Sequence, residues 1–167
     1  VMYVSYSPSG RYRVSALNNH ASTDITIQDS QGRTISLTGI PDGDIGGVRF
    51  NRDETMIAFT VASDTSPSDI FVANLADGQG RRLTQALNRA IDESQLVQGN
   101  VVRFRSYDQL EIPGILYRPR EASAGRAVPA IVLVHGGPGG QSRRGYSADI
   151  QFLVNNGYAV YAVNNRG

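Results

Sequence analysis

Ala130-Ile131-Val132-Leu133-Val134-His135-Gly136-Gly137-Pro138-Gly139-Gly140 is an unbroken apolar run that collapses into a glycine-rich loop. Consecutive apolar residues without polar alternation read as a parallel strand buried on both faces. Beyond the loop, 146–156 carries Ile150, Leu153 and Val154 at helical spacing, with Gly157 to stop the helix. Residues 158–163 then form a second wholly apolar strand, closing on Asn164-Asn165-Arg166-Gly167. Upstream, 101–106 alternates like a half-buried strand, Tyr107-Asp108-Gln109 makes a turn, and 110–117 runs back as its partner. A polar loop over 119–127 leads into the apolar run. Hairpin, buried strand, glycine loop, helix and buried strand is how an α/β sheet begins.

The first half has a different rhythm. Tyr6-Ser7-Pro8-Ser9-Gly10 and the strand-like 11–17 recur about 45 residues later as Phe50-Asn51-Arg52-Asp53-Glu54 and 55–61. Asp24-Ile25-Thr26-Ile27 recurs as Asp69-Ile70-Phe71-Val72, and Leu37-Thr38 as Leu83-Thr84, in the same order. Each unit reads as four short strands, with a polar turn after the first and a glycine turn before the last. That period and strand count match a β-propeller blade; two unrelated meanders in a sandwich is the competing reading. Two blades cannot close a propeller, so the repeat implies further blades, and Val1 is not expected to be the native start. Residues 86–98 break the β pattern as a short helical or irregular connector. The expected organisation is therefore all-β propeller blades over 1–85, a connector over 86–98, and the N-terminal part of an α/β-hydrolase sheet over 99–167. Both folds are incomplete.

Composition narrows the chemistry. The chain has 167 residues and no cysteine, which excludes a disulfide framework, a thiolate metal site and a cysteine nucleophile. All 16 basic residues are arginine, so lysine nucleophiles, Schiff bases and phosphate-loop lysines are absent. A net charge of +1 gives no footprint for nucleic acid or an anionic membrane. No apolar run approaches the roughly 18 residues of a spanning helix. Nothing in the sequence points to a metal or an organic cofactor.

The glycine loop admits several uses. A dinucleotide fingerprint needs its third glycine at a helix start and an acidic residue about 20 positions on, and this spacing does not fit. A tight turn without a ligand is one reading. An oxyanion hole is the other, and it fits better: glycine lets a substrate carbonyl approach backbone N–H groups without a side chain in the way. The loop after the third strand of an α/β-hydrolase supplies one such donor.

Taken together, the repeats, the hairpin, His135-Gly136-Gly137-Pro138 and the closing strand resemble the middle of a prolyl oligopeptidase family serine peptidase, of acylaminoacyl-peptidase or dipeptidyl-peptidase flavour. The resemblance implies a propeller seated over an α/β-hydrolase active site and a short peptide as substrate. It also implies that Gly137 gives its N–H to the oxyanion, with Gly136 shaping the loop, that His135 is architectural, and that Arg166 is structural near the site mouth.

The nucleophile elbow is missing. Gly140-Gln141-Ser142-Arg143-Arg144 and Gly145-Tyr146-Ser147-Ala148-Asp149 lack the closing glycine and a delivering strand. Ser142 reads as a loop residue, Ser147 as a helix N-cap, and His20 as a surface loop residue. No complete triad is present. The serine, acid and histidine would lie beyond Gly167, on the remainder of the polypeptide or on a second chain, and this chain alone is expected to be inactive. Arg143 and Arg144 read as a solvated basic pair or as contacts to an acidic substrate group. Two other functions compete: a different hydrolase (proline iminopeptidase or esterase), which the upstream repeat disfavours, and a non-catalytic propeller-containing binding module.

Overall fold

The computed structural model describes residues 1–137 and 139–165, and it contains three four-stranded sheets. The first is an antiparallel meander of β1 (Tyr3–Tyr6), β2 (Tyr12–Asn19), β3 (Ser22–Asp29) and β4 (Thr34–Ile35). The second repeats it as β5 (Asp44–Phe50), β6 (Met56–Ala62), β7 (Asp69–Asn74) and β8 (Gly80–Arg82), with a register shift between Gly46 and Arg49. The period seen in the sequence is therefore one sheet per repeat.

Period-two patterning explains the packing. In β6, Ile57, Phe59 and Val61 are buried while the residues between them are not, as strand geometry requires. Phe71 and Ala73 of β7 join them, and Val14 and Ile27 of the first sheet complete a core shared by both sheets. Phe59 stacks on Phe71 at 6.0 Å, and Tyr12 stacks on Phe50 across the two sheets at 5.7 Å. At the rim, the buried Glu54 carboxylate accepts from the Ser9 N–H at 2.6 Å and from the Ser7 hydroxyl at 3.1 Å. These bonds, the Ser9 hydroxyl's foremost, hold Glu54 below the usual carboxylate range.

Asp69 is a buried pin within the second sheet. Its carboxylate accepts from Thr84 Oγ1 at 2.7 Å, from the Ala86 N–H at 2.9 Å and from Arg82. Burial acts to raise its pKa, but these donors outweigh burial and hold it low. The corresponding Asp24 of the first sheet is exposed and accepts only from the Asn19 side chain among the described contacts. The two repeats are thus alike in path and unlike in anchoring.

The connector contains one 3-10 turn, Glu93–Gln95, capped by Asp92. The third sheet runs β11-β12-β10-β9, built from β9 (Asn100–Arg105), β10 (Glu111–Tyr117), β11 (Ala130–Val134) and β12 (Ala159–Val163). β10 is antiparallel to both neighbours, and β11 is parallel to β12 through helix α1 (Ala148–Asn155). The helix starts two residues later than its apolar pattern suggests, because Ser147 caps it and accepts from the Ile150 N–H at 3.3 Å. Ile150, Leu153 and Val154 pack on Ile115, Tyr117, Val160 and Ala162, and Ala21 of the first sheet enters the same core.

One expectation is overturned. β11, read as buried on both faces, is largely exposed: Val132 is 61% and Val134 68% accessible. Its apolar composition is as read; among the described residues β12 is its one strand partner, and α1 packs over β12 and β10 instead. No helix of the described residues is long and apolar enough to cross a membrane.

Phe59→Ala empties the shared core and is expected to cost about 3–5 kcal/mol. Ile70→Ala on the exposed face of β7 should cost within about 0.5 kcal/mol. Urea unfolding of both variants checks the contrast.

Candidate functional site

The C-terminal end of β11 carries the residues singled out from the sequence. His135 ties this end to the neighbouring strand: its Nε2 accepts from the Asn165 N–H at 3.4 Å, and its Nδ1 lies 3.2 Å from Gly136 O. A backbone N–H can only donate, so Nε2 is bare and Nδ1 carries the proton that the Gly136 carbonyl accepts. This is an architectural use of the ring.

Gly136 and Gly137 follow, both exposed. Gly137 sits at φ +73°, the left-handed region that a branched side chain enters only with strain. Space is not the constraint there, since an added Cβ would meet nothing nearer than Gly139 N at 4.0 Å. Gly140 is limited by crowding instead: a Cβ would stand 2.6 Å from Gly136 O and 2.7 Å from His135 Nδ1. The loop therefore doubles back on its own start. A cleft of about 360 Å³ opens beside it, lined by Asn18, His20, Gly139, Gly140, Gln141 and Asn164 among others.

The next segment, 141–145, lies across the first two sheets. Arg143 reaches Asp44, with Nη2 3.2 Å from each carboxylate oxygen, and donates to Thr23 Oγ1 at 2.6 Å. Arg144 donates through Nε to Asp64 Oδ2 at 2.8 Å and pairs more loosely with Asp42 at 3.4 Å. The sequence left these arginines as a solvated pair or as contacts for an acidic substrate group. The structure turns both guanidiniums onto carboxylates of the chain itself, with side chains 25% and 21% exposed.

Asp64, in the loop between β6 and β7, was not singled out by the sequence. It is fully buried, yet every lone pair within reach is used. Oδ1 accepts from the Tyr117 hydroxyl at 2.9 Å and the Gly145 N–H at 3.1 Å. Oδ2 accepts from Arg144 and from the Gly99 N–H at 3.1 Å. Its backbone carbonyl takes the Gln151 amide at 2.9 Å, and that amide also clamps Val97 through both its donor and its acceptor. Burial works against the Arg144 charge, but Asp64 and then Asp42 outweigh it and hold the guanidinium above its ordinary value. Burial, reinforced by the Asp64 charge, pushes the Tyr117 hydroxyl well up. Two sequence features mark partners of Asp64 and not Asp64 itself: the glutamine among the apolar residues of α1 and the adjacent arginines, which require counter-charges.

The serines of the two near-motifs are spoken for. Ser142 donates its hydroxyl to Val163 O at 3.2 Å and its N–H to Asn164 Oδ1 at 2.6 Å, and Ser147 is the helix cap. His20 occupies the exposed β2–β3 turn. The reading of Arg166 lies outside the described residues, as does Pro138 of the glycine string. No group of three or more potential metal ligands occurs among the described residues.

Known proteins resemble this chain in sequence and in fold. No family model matches the chain. Dipeptidyl aminopeptidase BIII of Pseudoxanthomonas mexicana is 33% identical over 138 residues, which are 78% of this chain and 20% of that protein. An acylaminoacyl peptidase of Pyrococcus horikoshii superposes on 99% of the chain with a TM-score of 0.73 at 24% identity. A puromycin-hydrolyzing peptidase of Mycobacterium tuberculosis superposes on 96% with a TM-score of 0.79 at 16% identity. The chain spans 25% of each of these two structures.

Tyr117 sets a pH test. Its pKa is raised on folding, so the folded chain keeps a proton that the unfolded chain releases above about pH 10. The hydroxyl's contribution is therefore complete below about pH 10 and declines as pH rises further. Tyr117→Phe should cost about 1.5–3 kcal/mol at neutral pH, the range for a bond to a charged acceptor. The gap from wild type should narrow in urea unfolding at pH 10.5; a constant or widening gap contradicts the assignment.

Proposed function

We propose that this chain, whose homologues and structural neighbours are peptidases of the prolyl oligopeptidase, acylaminoacyl peptidase and dipeptidyl peptidase family, is the junction of a serine peptidase that cleaves short peptides by acyl transfer. In this reading the first two sheets are propeller blades over 1–85, 86–98 is the connector, and 99–167 opens an α/β-hydrolase sheet. The observation that carries it is Gly136–Gly137, exposed at the C-terminal end of a parallel strand, with Gly137 held at positive φ.

A scissile carbonyl approaching this loop meets backbone rather than side chain. Serine attack turns the carbonyl oxygen into an oxyanion, and the Gly137 N–H donates to it, together with the N–H that follows the nucleophile. Gly136 supplies the room. Serine, acid and histidine come from the remainder of the polypeptide or from a second chain, in the order serine, acid, histidine. The histidine takes the serine's proton and returns it to the leaving amine. The cleft between the His20 turn and Gly139–Gly140 lies beside this loop and is the approach we assign to a short peptide.

Gly137→Val forces a branched residue into the left-handed region and turns the N–H away. Loss of one oxyanion donor should lower turnover by about 10²–10³ in the full-length polypeptide, with folding retained. Normal turnover in that variant removes Gly137 from the mechanism. A fluorophosphonate probe should label the full-length polypeptide and leave the isolated 1–167 chain unlabelled, and stoichiometric labelling of the isolated chain contradicts the absence of the nucleophile.

A further inference from the structure

A glycine-rich loop has no side chains with which to hold its own position. What lies on either side must place it. On one side is His135, tied to Asn165 just beyond β12. On the other is 141–145, and its bonds run mostly away from the sheet to which it belongs. Gln141 uses both ends of its amide: Nε2 donates to His20 O, and Oε1 accepts from Asn18 Nδ2 at 2.9 Å. Arg143 is shared between Thr23 and Asp44, and Asp44 is itself fixed by the Thr23 N–H at 2.6 Å. The Arg144 N–H donates to Ala21 O at 2.7 Å, and its side chain reaches Asp64.

The receiving surface is shaped for this. His20 sits at φ +58°, and the Ala21 N–H donates back to Asn19 O at 2.6 Å, closing a tight three-residue turn. A non-glycine residue persists in that region where its surroundings over-determine it. Here they do: the turn offers the consecutive carbonyls of His20 and Ala21 to Gln141 and Arg144, while the Ala21 methyl is buried in the core beneath α1.

We propose that 141–145 is a clamp through which the first two sheets set the position of Gly136–Gly137, making Arg143 and Gln141 positioning residues for turnover; this rests on the oxyanion reading of Gly137. Three residues separate Gly137 from Gln141, and Gly140 is packed against Gly136 O and His135. A shift at Gln141 is therefore passed back to Gly136–Gly137. Misplacing a reacting group by about 1 Å can cost about a hundredfold in rate.

The test uses the full-length polypeptide with Arg143→Ala, Gln141→Ala and Arg143→Lys. The clamp predicts that both alanine variants lose about ten- to hundredfold in kcat on a chromogenic peptide, with KM nearly unchanged. Amide exchange of peptides spanning 135–141 should quicken in both, while the unfolding temperature changes little. Arg143→Lys keeps the charge but loses the planar fork, and should recover part of the rate. Unchanged exchange in both alanine variants overturns the clamp, as does an effect confined to KM, which marks a substrate contact instead. Faster exchange with full kcat also overturns it if Gly137→Val is inactive. Full kcat in Gly137→Val defeats the oxyanion reading, and exchange then still decides whether the loop is clamped.

Discussion

The buried carboxylate of Asp64 is the constraint on which the rest of the structure depends. An ionised group removed from water costs several kcal/mol unless its lone pairs are satisfied. Among the described residues, Asp64 meets that demand with groups from the second half of the chain: the Tyr117 hydroxyl, the Arg144 guanidinium and the N–H groups of Gly99 and Gly145. These donors converge from the end of the connector, from β10 and from the loop before α1. They meet at one carboxylate in one relative placement of the first two sheets and the third. The bond from Gln151 to the Asp64 carbonyl adds the helix to the same point.

Two features follow from that seating. Ala21 of the first sheet is delivered into the core between α1 and the third sheet, so this core is not closed by the α/β elements alone. The segment after the glycine loop also becomes a strip between two bodies, tied to Val163 and Asn164 on one side and to Asn18, His20, Ala21, Asp44 and Asp64 on the other. The charges in this strip have a structural purpose. Arg143 and Arg144 neutralise Asp44 and Asp64, which explains a basic pair beside a glycine loop in a chain of nearly balanced charge.

Local patterns carried the strands and the repeat. Ile57, Phe59 and Val61 alternate with partly exposed neighbours, and that period of two marks β6 without knowledge of its surroundings. Ser147 declares a helix start, and Asn100–Arg105 and Glu111–Tyr117 pair across the turn read between them. Burial of β11 was less legible. Five apolar residues describe what a strand can tolerate, whereas exposure depends on what covers it, and nothing within 130–134 encodes that. Asp64 was illegible for a related reason. Its partners lie 35 to 87 residues away, and in sequence it is one polar residue in a Ser-Asp-Thr-Ser turn. The glycine loop stood out because its chemistry is local: a positive φ at Gly137 and a close approach at Gly140 both demand glycine in place.

The proposed chemistry turns on one atom, the backbone nitrogen of Gly137, in a loop flanked by His135 and by 141–145, beside a cleft lined by Gly139 and Gly140. A crystal structure of the full-length polypeptide trapped with a peptidyl phosphonate tests it most directly, because the phosphonyl oxygen stands where the oxyanion forms. The account predicts that oxygen about 2.7–3.1 Å from the Gly137 nitrogen, with Arg143 on Asp44 and Arg144 on Asp64 as they are here. A phosphonyl oxygen held by other donors, with Gly137 facing away, would contradict it.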